Sequence, residues 1–116
     1  MPKYSLYPEQ QLRRRVMKWA MVLEVNPTQV LVRPMADRWG SCAPDGTVTL
    51  ADDLATAESE VQDYVIVHEL LHLRHQDHGR VFRALLARHV PAWTSIEEKL
   101  SGSRSAARRR SSHGRE

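Results

Sequence analysis

Residues 58–74 read ESEVQDYVIVHELLHLR and contain neither Gly nor Pro, so nothing in them breaks a helix. Val61, Tyr64, Val65, Val67, Leu70 and Leu71 cover so much of the predicted circumference that this helix must lie largely inside the domain. A polar group on such a helix needs a reason to be there. The polar groups at its centre are His68, Glu69 and His72, in the pattern HExxH.

The i, i+4 spacing places both imidazoles on one face, one turn apart, where they can share a zinc ion at about 2.0 to 2.1 Å each. Glu69 lies about 100° round the helix from His68. It therefore points beside the metal and reaches a water the metal activates, without being a ligand. A catalytic zinc usually takes three protein ligands, so a third is expected from His75, His78 or, more remotely, His89. In a straight helix His75 would sit about 10 Å along the axis from His68, too far for one ion. His78 follows Arg74-His75-Gln76-Asp77 and precedes Gly79, where the chain can turn back over the metal. The spacing therefore favours His68, His72 and His78, with His75 beside the site or in solvent.

Outward from this helix, Leu12, Val16, Trp19, Ala20 and Leu23 recur at three- and four-residue steps and predict a helix over about 8–24, opened by Pro8. Asn26-Pro27 stops it. Residues 29–35, 38–42 and 47–51 read as a strand, strand, turn, strand meander, its turn set by Ala43-Pro44-Asp45-Gly46. Asp52 and Asp53 read as a turn or helix cap ahead of Leu54. Val81, Phe82, Leu85 and Leu86 form one stripe of a helix over about 79–89, and Pro91 opens a last helix to about Leu100. The fold class is α+β.

The 116 residues, 41% hydrophobic and 27% charged, suit one domain with a modest core, expected over residues 1–100. The longest apolar run, Trp19 to Leu23, is far short of a membrane span, and residues 1–11 contain no apolar leader core. No membrane partner is expected. The single cysteine, Cys42, makes no internal disulfide and no Cys-rich zinc cage. These features place the chain in the cytoplasm. Residues 101–116 hold five arginines against one glutamate, so the net +3 belongs to the tail, which is read as disordered. It is a solubilising segment or a weak hold on nucleic acid.

Three ordered segments resemble the YgjP-like metallopeptidases, relatives of the SprT-like and minimal gluzincin-type proteases: Arg38 to Cys42 (RWGSC), Asp63 to Leu73 (DYVIVHELLHL) and Asp77 to Phe82 (DHGRVF). Asp77 and Arg83 stand where that family often carries Asn and Trp. The resemblance implies a compact zincin-like fold of an N-terminal helix, a small three-stranded antiparallel sheet and a zinc helix. It further implies Zn2+ held by His68, His72 and His78, with Glu69 as catalytic base.

The expected activity is hydrolysis of peptide or protein substrates by a zinc metalloendopeptidase. An exposed sheet edge would align the substrate as an added strand. Arg38, Tyr64, His75 and His89 are candidates for the oxyanion donor. Trp39 reads as core or pocket wall and Cys42 as a small buried hydrophobe rather than a thiolate switch. The metzincins share the step from second to third histidine but carry Gly where this chain has His75. Two rivals are a non-catalytic zinc module binding nucleic acid through its basic tail, and a SprT-like protease acting on DNA-bound proteins. The first has no need of Glu69.

Overall fold

In a computed structural model of the chain, residues 7–101 are described. The elements run α1 (Pro8–Leu23), β1 (Gln29–Arg33), β2 (Gly40–Cys42), β3 (Thr47–Ala51), a 3-10 turn (Asp52–Thr56), α2 (Ser59–Leu71), α3 (Arg80–His89) and α4 (Trp93–Leu100). The basic tail lies, from residue 102 onward, outside the described residues. Among the described residues no helix is long and apolar enough to cross a membrane.

Helix α1 opens with Pro8 in its first turn, where the missing N–H costs no bond, and the Tyr7 N–H is taken by Gln10 Oε1 at 3.0 Å. It closes on Glu24, which adopts the left-handed conformation at φ 57° so that its N–H reaches back to the carbonyls of Ala20 and Met21. Leu12, Val16 and Ala20 form the buried stripe. On the flank, Arg15 and the Trp19 indole both donate to Asp63 of α2, at 2.8 and 2.9 Å, which fixes the two helices in register.

The sheet is mixed rather than wholly antiparallel, which corrects the expected meander. Its order is β1-β3-β2, with β1 parallel to β3 and β2 antiparallel to it. The cause lies at the start of β1. Thr28 donates its N–H to Gly46 O at 2.9 Å and its hydroxyl to Asp45 O at 2.7 Å. These bonds pin the entry of β1 beside the β2–β3 turn, so β1 begins at the same end as β3 and must run the same way. That turn uses Gly46 at φ +95°, a conformation open to glycine and costly for other residues. The α+β class stands, and β2 is left as a sheet edge packed against α2.

Helix α2 is the centre of the domain. Ten of its thirteen residues are buried, and α1, the sheet, α3 and α4 all pack on it. Each large apolar side chain it buries contributes about 1.5 to 3 kcal/mol. Gln62 is buried there as well, with its amide donating to the carbonyls of Leu54, Ala55 and Ala57, so the 3-10 turn is tied to the helix.

Candidate metal centre

Helix α2 stops at Leu71, three residues before the sequence pattern runs out, and His72 is its C-cap. The N–H groups of His72, Leu73 and Arg74 donate to the carbonyls three residues back, at 3.1, 3.0 and 3.0 Å, which tightens the final turn. The chain then reverses. Asp77 Oδ1 accepts the Gly79 N–H at 3.2 Å, and α3 starts at Arg80, so His78 is carried back over the end of α2.

The three imidazoles meet there. One nitrogen of each of His68, His72 and His78 lies within 4.8 Å of the others, and the Nε2 atoms of His72 and His78 are 2.9 Å apart. A tetrahedral zinc with bonds of about 2.0 to 2.1 Å sets adjacent ligand atoms about 3.3 to 3.4 Å apart. The observed spread brackets that value, so the donor set fits a single ion. His72 Nδ1 donates to the carbonyl of His75 at 2.9 Å. A carbonyl can only accept, so the proton sits on Nδ1 and Nε2 is the nitrogen that could hold a metal. His68 Nδ1 lies 3.3 Å from Glu69 Oε2, and both residues are buried, Glu69 completely.

One member of the cluster was not legible as such in the sequence. The Phe82 ring packs against all three imidazoles, with centroids 5.3 Å from His68 and 4.8 Å from His72 and His78. The apolar periodicity of α3 marks Phe82 as core, which it is. Its second task, as the floor under the imidazoles, depends on where α3 docks.

The remaining candidates separate from the cluster. His89 stacks edge-on against Trp19 at 5.8 Å, and the Tyr64 hydroxyl lies 3.3 Å from Glu97 of α4 although its ring touches His68. His75 contributes its carbonyl to the site. Arg38 is 3.8 Å from Asp37, and Trp39 packs half-buried on the core. Cys42 and His72 share the wall of an open groove of about 800 Å³ that runs from the end of β2 past the end of α2.

Three converging imidazoles, two from the end of a buried helix and one from the loop beyond it, with a carboxylate one residue after the first, are the arrangement of a metallopeptidase domain. The model for the YgjP-like metallopeptidase domain matches residues 4–103, and the chain belongs to that family. No curated protein matches the chain. Among solved structures it is similar to the zymogen of the metallopeptidase abylysin from Pyrococcus abyssi, with a TM-score of 0.69 and 22% identity over 78% of this chain and 92% of that one. It is similar also to the zymogen of jannalysin from Methanocaldococcus jannaschii, with a TM-score of 0.68 and 23% identity over 77% of this chain and 92% of that one. At this identity the two likenesses bear on the fold.

Proposed function

We propose that the domain is a zinc-dependent endopeptidase acting on extended peptide segments, with His68, His72 and His78 holding the metal and Glu69 as general base. The observation that carries this reading is the convergence of three imidazole nitrogens within 4.8 Å at the end of a buried helix that also carries Glu69. When bound, zinc supplies Lewis acidity that polarises a carbonyl and acidifies a nearby water.

The chain's own residues supply the rest. Glu69 Oε takes a proton from the attacking water as its oxygen bonds to the scissile carbonyl carbon, and returns it to the amide nitrogen as the C–N bond breaks. Burial keeps this carboxylate out of bulk water and fixed by its neighbours. The His75 carbonyl holds His72 in the tautomer that binds metal. Strand β2 is the sheet edge beside α2, so an extended substrate would pair with Gly40–Cys42 through main-chain bonds, with little demand on its side chains. Sequence preference would then come from the groove shared by Cys42 and His72.

The test is cleavage of an unfolded, labelled protein by the zinc-loaded full chain and its Glu69→Gln variant. The variant is expected to keep its zinc and lose cleavage by about a hundredfold or more. Equal cleavage by both would overturn the role of Glu69 and leave the zinc structural.

A further inference from the structure

Gly40 begins the edge strand β2, is buried, and pairs with Leu50 of β3. Its φ is not in the left-handed region, where Gly46 is the glycine found among the described residues. Glycine is therefore present at position 40 for space rather than for backbone freedom. A Cβ built there would lie 3.0 Å from Glu69 Cγ, 3.3 Å from Leu50 Cδ2 and 3.3 Å from the Thr49 carbonyl oxygen. The first separation is at the limit of what real Cβ atoms show. Leu50 and Glu69 are both fully buried and Thr49 O is backbone of the strand paired with β2, so an added methyl is accommodated only if one of them shifts by a few tenths of an ångström.

We infer that Gly40 is the positioning residue for the general base: by having no side chain it lets the edge strand close directly on Glu69 and sets where the carboxylate stands relative to the three imidazoles. The inference rests on the reading above of Glu69 as base. It also ties two functions together, because the strand that pairs with the substrate is the strand that walls the base. Substrate and carboxylate are placed by one backbone segment. A methyl group at position 40 must push the Glu69 side chain by a few tenths of an ångström or open the strand. Displacements of about 1 Å at reacting groups cost about a hundredfold in rate, so a loss in kcat of about tenfold is expected.

The experiment compares the full chain with Gly40→Ala, reading kcat and KM per bound zinc, zinc affinity by calorimetry, and the carbon-13 shift of the Glu69 carboxyl carbon in the metal-free protein. The proposal expects kcat to fall about tenfold, KM and zinc affinity to stay within about twofold, and the Glu69 resonance to move. An unchanged kcat and an unmoved Glu69 resonance in Gly40→Ala, with the wild type active and Glu69→Gln inactive, overturns this inference alone. An inactive wild type, or an active Glu69→Gln, removes the reading it rests on. If Gly40→Ala folds poorly, two relieving partners decide the cause. Glu69→Asp shortens the crowded side chain and is expected to restore folding. Failure of Glu69→Asp to do so, with or without recovery by Leu50→Val, shows that the added methyl meets something else and overturns the proposal.

Discussion

The imidazole of His72 donates its Nδ1 proton to the backbone carbonyl of His75 at 2.9 Å. The bond joins the last turn of α2 to the loop that carries His78. It links two imidazoles of the cluster through main chain and makes the early end of α2 a requirement of the site. Were the helix to continue through Arg74, the carbonyl of His75 would point along the axis and His78 would leave the cluster.

Phe82 supports the cluster from below and belongs to the core at once, so its two roles separate by substitution. Phe82→Ala is expected to cost about 3 to 5 kcal/mol of stability through the cavity it leaves. Phe82→Leu keeps most of the volume while removing the ring from the three imidazoles, and zinc affinity should fall about tenfold or more, as changes to groups that orient ligands do. Competition with a chromogenic chelator measures it. Unaltered zinc affinity in Phe82→Leu would show that the ring is only core.

Asp63 ties α1 to α2 by accepting from Arg15 and Trp19 at the margin of the core. Asp63→Ala strands the Trp19 N–H and should lower stability by about 1 to 3 kcal/mol, seen as a lower urea midpoint, while turnover per zinc-loaded molecule is unchanged. A midpoint equal to wild type would show that the pair is only a surface contact.

The β2–β3 turn carries a pH dependence. The Thr47 N–H donated to Asp45 Oδ1, at 2.9 Å, holds the Asp45 carboxyl below its ordinary value of 3.8. A carboxyl whose folded pKa is depressed stabilises the fold above its unfolded value and loses that contribution as pH falls through the folded value. Wild type should therefore exceed Asp45→Asn in urea midpoint near pH 6, and the gap should close in more acid solution. A gap that stays constant with pH would contradict this. The effect is small because the group is exposed.

How much of this was legible follows from which signals are local. The HExxH helix could be read because its buried circumference and its two imidazoles are patterns of one segment. The grouping of His78 with His68 and His72 was favoured by spacing over His75 and His89, since the chain can reverse before Gly79 and bring a third nitrogen back, and the three nitrogens do lie together. The early stop of α2 was not, because no Gly or Pro marks it and the signal is hydrogen bonding of the final turn itself. The parallel pairing of β1 was hidden for a similar reason. It is decided by Thr28 meeting Asp45 and Gly46, residues seventeen or more apart, and no local alternation reports such a contact. Gly40 and Phe82 read as a motif glycine and a core aromatic. Their relation to Glu69 and to the imidazoles exists only once β2 and α3 dock on α2.

The central claim is that three imidazoles from the end of α2 and the loop beyond it hold one metal ion. Zinc content of the untagged full chain after exhaustive dialysis, measured beside His78→Ala, tests it most directly. About one zinc per wild-type chain, with binding lost or weakened by tenfold or more in a variant that still folds, is the predicted result. A wild type that retains no zinc, or a His78→Ala that binds it as tightly, would contradict the account.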